Sequence, residues 1–387
     1  MLSALFNLTL GVLLGFLLLE GVLRSNSQLL LRGMALPAPI DAPISNRQYD
    51  VYYSDADEIF WRPDLFHPIP AGQNKLEAHV DYQTDEFGFR NTPPIPTKVD
   101  LVVLGRSISL GAQQPSPWPE LFANRMNWKV WNLSQPGSGM DTKLDYLRRY
   151  ALPRRPSWVV VEVQPAIDIS QLEPSPSWLI SSLPVQVLQY FLKPFFSPAS
   201  FDPVPPIYPL KVDLPGRSIQ LTCCLHYLEM QTVDAKTWQA SQDWTFFSGY
   251  MNTLVAEARK QGTCVAILYA PSKPEIYFPL AINPDQLKPT LYGVVPLRLG
   301  QDGSLIADSE ITPNVEELQK NALAGRNLLI NYSRQQGVGL IDPSQAFTQS
   351  VLDGADPFMV YDSHWNETGH ELVAKVAAQF FRDNPCR

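Results

Sequence analysis

Hydrophobic positions along the chain gather into a few short continuous runs, separated by stretches in which they recur with helical spacing. Val99-Asp100-Leu101-Val102-Val103-Leu104 is an apolar run that stops at Gly105, the form of a strand buried on both faces. Lys129 to Leu133, Trp158 to Val163 (Trp-Val-Val-Val-Glu-Val), Thr263 to Tyr269 and Gly337 to Ile341 repeat that form. Between and after them the pattern predicts helices at about 117–126, 141–150, 239–261, 315–335 and 367–382. The last carries Leu372, Val373, Val376, Ala377, Phe380 and Phe381 on one face, a stripe that faces a core. Pro117 and Pro119 are compatible only with the first turn of their helix. Strands alternating with helices predict an α/β fold with a parallel central sheet and right-handed crossovers.

Three stretches depart from this rhythm. Leu2 to Leu23 is apolar but for Asn7, Thr9 and Glu20 and similar small polar breaks. As a helix it would be about 33 Å long at ~1.5 Å per residue, enough to cross a hydrocarbon core of ~30 Å. A cleaved signal peptide is the alternative, but residues 1–8 carry no Lys or Arg and no small-x-small site follows. The expectation is an uncleaved transmembrane anchor over residues 1–24. Residues 25–98, with Pro37, Pro39, Pro43, Pro63, Pro68 and Pro70 among Tyr49, Tyr52, Tyr53, Phe60 and Trp61, read as a non-repetitive lead-in packing on the main domain. Residues 99–387 form that α/β domain, interrupted at about 170–235 by a proline- and aromatic-rich insertion, with short helices expected near 178–192. The insertion fits either a lid over a site or plain scaffold.

Composition narrows the field. The chain has 387 residues, 45% hydrophobic and 18% charged, enough to bury a large core. Its formal net charge is -8 with no basic run, which argues against nucleic acid as a partner. The 36 prolines follow no period, so they mark long irregular connections and not a fibrous repeat. Cys223, Cys224, Cys264 and Cys386 include no C-x-x-C pair, which disfavours a zinc ribbon or a thioredoxin-type site and leaves the redox compartment open. No G-x-G-x-x-G or P-loop pattern occurs, and no cofactor is expected.

Two segments carry candidate chemistry. Gly105-Arg106-Ser107-Ile108-Ser109-Leu110-Gly111 directly follows the first core strand. A serine there stands at the carboxyl edge of a parallel sheet, where sites in open α/β folds collect. It also fits a plain helix-capping serine. Near the other end lies Tyr361-Asp362-Ser363-His364-Trp365-Asn366-Glu367-Thr368-Gly369-His370. A serine hydroxyl becomes a nucleophile when a base takes its proton, and that base is usually a histidine oriented by a carboxylate. Asp362 and His364, in a loop before the last helix, supply that pair. A metal site from Asp362, His364 and His370 is a weaker reading, because His370 on the helix is better placed to pack or cap it. His67, His79 and His226 have no motif around them.

Taken together, these pieces resemble the SGNH (GDSL-like) hydrolase family. Ser107 with Gly105 and Gly111 is similar to its first block, and Asn132 through Gly139 to its glycine block. Asp-Ser-His-Trp-Asn with Gly369-His370 is similar to its last block, in a version that resembles alginate O-acetyltransferase-like proteins. Thr84-Asp85-Glu86-Phe87-Gly88-Phe89-Arg90-Asn91 and Pro271-Ser272-Lys273-Pro274 resemble elements of anchored bacterial members. The resemblance covers about residues 84–382 apart from the insertion. It implies a three-layer αβα sandwich with Ser107 as nucleophile, His364 as base and Asp362 as its orienter. It implies an oxyanion hole from the Ser107 N–H, Gly137 and a third group near Ala166. The implied function is an esterase or O-acyltransferase acting on an acylated envelope carbohydrate or lipid. Arg24 and Arg32 would place the domain in the cytoplasm by the positive-inside rule, whereas this chemistry suits the outer, periplasmic or extracellular, side. Two departures stand out. The family has Asp before the serine where this chain has Arg106, which cannot accept a hydrogen bond and is a candidate for binding an anionic substrate. The family expects Asn-Asp where this chain has Gln164 to Asp168, so Gln164 is the candidate replacement donor. The same departures motivate the alternative, a catalytically inactive binding or assembly module.

Overall fold

The computed structural model describes residues 46–54, 74–169, 209–222, 225–285, 287, 294–359 and 363–386. The expected membrane segment at residues 2–23, most of the insertion, Cys223, Cys224 and Asp362 lie outside the described residues. Among the described residues no helix is long and apolar enough to cross a membrane.

The chain begins its described structure with an antiparallel ribbon, β1 (Asn46–Ser54) and β2 (Asn74–Gln83). The lead-in is therefore not free of repetitive structure. Its proline-rich composition masked two runs in which tyrosines and valines alternate with polar residues. The central sheet follows: β3 (Leu101–Leu104), β4 (Val130–Asn132) and β5 (Trp158–Val163). After an antiparallel hairpin within the insertion, β6 (Pro209–Leu214) and β7 (Arg217–Thr222), come β8 (Cys264–Tyr269), the small pair β9 (Leu297–Leu299) and β10 (Leu305–Ala307), and β11 (Gly339–Ile341). The five sheet strands lie in the order β11-β8-β5-β3-β4, every neighbouring pair parallel. Each predicted strand is thus found, β5 with its predicted bounds and the others shorter by one or two residues at one or both ends.

Alternate side chains of these strands point into two separate cores, which is why the runs carry no polar alternation. Val102, Leu104, Val159, Val161, Val163, Val265, Ile267 and Tyr269 enter one. Leu101, Val103, Trp158, Val160, Ala266 and Leu268 enter the other. Helices cover both faces. Beside Leu104 stands the short helix α1 (Ser107–Leu110), followed by α2 (Trp118–Met126) and α3 (Met140–Tyr146). Then come α4 (Gln242–Lys260), α5 (Ala324–Gln336), α6 (Ser344–Leu352) and α7 (Glu367–Asp383). Helix α3, with α4 and α5, packs on the first core; α2, α6 and α7 pack on the second. This is a three-layer αβα arrangement.

Three helices differ from their predicted extents. The one expected over 239–261 begins at Gln242, capped by the extended Ser241. The stretch expected as one helix over 315–335 breaks into Val315–Asn321 and α5, near Gly325, where a Cβ would stand 2.4 Å from Pro165. Helix α3 continues past Tyr146 through a π turn and a 3₁₀ turn to Arg154, so the ladder changes pitch where Leu147, Ala151 and Leu152 are buried.

Cys264, the first residue of β8, is disulfide-bonded to Cys386, beyond the end of α7 and 122 residues away. The bond ties the end of the last helix to the amino edge of the sheet, leaving the start of α7 at the carboxyl edge. Closing so long a loop restricts the unfolded chain, an effect typically worth about 2–4 kcal/mol. Replacing both cysteines with serine should lower the thermal midpoint by roughly 4–16 °C, taking about 2–4 °C per kcal/mol for a domain of some 150–250 residues. A thermal melt of the two proteins side by side checks this, and an unchanged midpoint would count against the bond.

Candidate active site

In the order in which they occur along the chain, the five parallel strands sit as 5-4-3-1-2. After β3 the chain moves outward to β4; after β5 it moves the other way to β8. The crevice between the carboxyl ends of β3 and β5 is the switch point where open α/β sheets place their ligands. Ser107 follows β3 at this point and Gln164 follows β5.

The turn at Ser107 is packed tightly from behind. A Cβ on Gly105 would stand 2.5 Å from Ser134 Oγ, 2.6 Å from Ser109 Cβ and 2.8 Å from Glu162 Oε2, so only glycine fits there. Helix α1 then spans a single turn and ends at Gly111 with φ +60°. Within it Ser109 is fixed by three groups: its N–H donates to Glu162 Oε2 (2.8 Å), its Oγ accepts from Trp118 Nε1 (2.8 Å), and its carbonyl accepts from Asn132 Nδ2 (2.9 Å). Ser107 itself is half-buried at the mouth of the turn.

The glycine block is bound to the same turn. The Gln135 N–H and the Ser138 hydroxyl both donate to the Gly105 carbonyl, at 3.2 and 2.9 Å. Gly137 lies exposed at the tip of this loop with φ +74°, a conformation that favours glycine.

The loop before α7 reaches the same edge. The Gln114 amide donates to the Trp365 carbonyl (3.5 Å), and the Trp365 indole donates to the Pro271 carbonyl after β8 (3.3 Å). His364 is buried in this loop, and its carbonyl accepts from the Met359 N–H (3.0 Å). Asn366 caps α7 by accepting from the Gly369 N–H. His370, on the first turn of α7, accepts the Trp118 N–H at Nδ1 (3.1 Å), so it caps the start of α2. Burial, then the charges of Arg90 and His364, pushes its pKa down to about 3. Nδ1 is thus committed to a backbone donor and His370 stays neutral.

Two sequence candidates have partners of their own. Arg106 turns toward the fully buried Asp168, at 3.6 Å, and is only 13% exposed. It shares that carboxylate with Lys143, which lies closer at 2.6 Å. Gln164 is buried, with its side-chain amide donating to the Tyr227 hydroxyl (3.1 Å). The bond to Tyr227 takes one of the two N–H donors of that amide. Asp168 is held on both oxygens: Oδ2 accepts from the Gln164 N–H (2.8 Å) and Oδ1 from Lys143 Nζ (2.6 Å). Lys143, wholly buried, donates also to the Glu162 carbonyl (2.7 Å).

Sequence reasoning passed over Lys143, Glu162 and Arg90. Glu162 is the one charged residue in an otherwise apolar strand, which was the available signal. Its carboxyl is pushed up by burial, while Lys143 and the Ser109 contact pull the other way. Arg90 belongs to the Thr84–Asn91 segment. It donates to the carbonyls of Gln114 (2.7 Å) and Pro115 (2.9 Å), and to those of Leu110 and Gly111 at the end of α1. Asp85 holds that segment in shape, accepting from the N–H groups of Phe87 and Phe89 and from the side chains of Asn91 and Trp131.

Fold and site together define a doubly wound α/β domain with a serine turn at its switch point and a histidine loop on the same sheet edge. The sequence matches no family model and no curated protein. Among solved structures, the chain is similar to a lipase/acylhydrolase from Enterococcus faecalis (14% identity, 73% of this chain and 95% of that one, TM-score 0.34). It is also similar to a GDSL-like lipase from Bacteroides thetaiotaomicron (9% identity, 76% and 92%, TM-score 0.34). A third is a catalytic mutant of Axe2, an acetylxylan esterase from Geobacillus stearothermophilus (12% identity, 73% and 93%, TM-score 0.37).

Proposed function

We propose that this protein is a serine esterase or O-acyltransferase of the SGNH type, acting on ester-linked acyl groups of an envelope carbohydrate or lipid. The observation that carries the reading is the placement of Ser107. It stands half-exposed at the switch point, on a turn fixed from three sides, with the His364 loop on the same edge. In this reading His364 takes the Ser107 hydroxyl proton as the oxygen attacks the acyl carbonyl, and Asp362 orients the imidazole. The Ser107 and Gly137 N–H groups face the developing oxyanion. His364 returns the proton to the departing alcohol, and water or a second hydroxyl then releases the acyl group from Ser107.

The reading extends to location. Residues 2–23 anchor the chain, and the domain lies on the outer side of the membrane. The Cys264–Cys386 disulfide supports this, since such bonds persist in oxidising compartments and are rare in the cytosol. Two arginines after the anchor weigh less than a structural disulfide. The departures at Arg106 and Gln164, the latter buried with one amide N–H given to Tyr227, favour a second reading, an inactive binding module.

Labelling of the full-length chain with a fluorophosphonate probe separates the two. The expected result is covalent modification at Ser107 that is lost in Ser107→Ala and His364→Ala. A folded chain that takes no label at Ser107 would leave only the binding module.

A further inference from the structure

Helix α1 starts without a cap from its own segment. Its N-cap residue is Arg106, and no side-chain cap bond is made there. A guanidinium has donors only, so Arg106 cannot serve. The side chain of a good N-cap residue accepts the N–H of the second or third helical residue. With Ser107 as the first, the third is Ser109. Its N–H is instead taken by a carboxylate that comes from the neighbouring strand, Glu162 Oε2 at 2.8 Å.

We propose that Glu162 is a positioning residue that caps the helix of the nucleophile from strand β5, filling the place that Arg106 cannot, and so sets where the Ser107 hydroxyl stands. The inference rests on Ser107 being the nucleophile. Several observations converge on it. Glu162 is wholly buried in a strand whose other residues are apolar, a costly site for a carboxyl without a specific partner. Its second oxygen, Oε1, makes no hydrogen bond among the described residues, so Ser109, through its backbone N–H and its hydroxyl, is the residue its carboxylate bonds there. Gly105 lacks a side chain where a Cβ would press on that same Oε2. Arg106, which cannot cap, lies instead 3.6 Å from Asp168. The carboxylate and the guanidinium have in effect exchanged places around the start of α1.

The exchange can be reversed by mutation. The rate of fluorophosphonate labelling at Ser107 is measured in the full-length chain, with a thermal melt of each variant in parallel. Glu162→Met removes the acceptor at nearly the same volume and should slow labelling about tenfold, the weight of a helix cap. Glu162→Gln keeps an oxygen for Ser109 and should stay within about threefold of the parent. Adding Arg106→Asn to Glu162→Met supplies a good N-cap side chain in the ordinary position and should restore most of the rate. Adding Arg106→Ala should restore none. A Gln variant as slow as the Met variant overturns the proposal, as does an Arg106→Asn rescue no better than Arg106→Ala. Should Glu162→Met fail to fold, rescue of folding by Arg106→Asn and not by Arg106→Ala reads the same cap. A parent chain that takes no label overturns the esterase reading itself. A labelled parent with indifferent Glu162 variants overturns only the cap.

Discussion

Turnover of an activated ester by the Ser107→Ala protein is expected to fall by about 10⁴ to 10⁶, and that of His364→Ala by a similar factor. The two should not add. Hydroxyl and imidazole act as one unit: a serine without its base is a weak nucleophile, and a base without the serine has nothing to activate. The double variant should therefore be no slower than the worse single one, which a kinetic comparison of all three against the parent will show. Asp362→Ala should cost less, because a carboxylate that orients an imidazole makes no bond to the acyl group itself. Residual activity in His364→Ala within tenfold of the parent would remove His364 from the role of base.

The largest expected loss of stability comes from Lys143→Met. Lys143 lies with no exposed side-chain surface, holding Asp168 at 2.6 Å. Taking away one partner of a buried pair leaves the other charge without compensation, at a cost of about 3–5 kcal/mol. Arg106 remains 3.6 Å from Asp168, so the loss should sit near the lower end. Pairing Lys143→Met with Asp168→Asn removes the stranded charge while keeping an acceptor for the Gln164 N–H, and should recover much of the stability. Denaturant unfolding of the three variants measures this. A Lys143→Met protein as stable as the parent would mean the ammonium contributes nothing there.

The sheet was legible in the sequence because its strands are buried on both faces, so Val102-Val103-Leu104 and Val159-Val160-Val161 run on without a polar break. The serine turn was legible for a related reason: a glycine and a serine directly after such a run must lie at the sheet's carboxyl edge. Polar groups that serve packing were harder to see. Arg90 acts on carbonyls 20 to 25 residues ahead of it, a separation that no local pattern encodes. Glu162 looked like an exception within a strand because its partner, Ser109, belongs to another element. Helix α6 escaped notice because its first-turn N–H at Ser344 is satisfied by Asp342, across an intervening Pro343 that obscures the capping signal. The disulfide joins cysteines whose spacing carries no code. Gln164 and Arg106 were singled out for departing from a pattern, and their partners Tyr227 and Asp168 account for where they point.

The grip of Arg90 on four carbonyls around the end of α1 bears on how this protein can be divided or inherited. By its strands alone, the α/β unit begins at Val99. By its contacts, it begins no later than Thr84, since Asp85 and Phe89 pack against Trp131 of β4 and Arg90 holds the carbonyls at the end of α1. A recombination event or a protease that cut between these two points would leave a complete sheet whose serine loop had lost its clasp. A cut that spares this clasp lies on the amino side of Tyr82, whose ring sits under the Arg90 guanidinium at 4.5 Å.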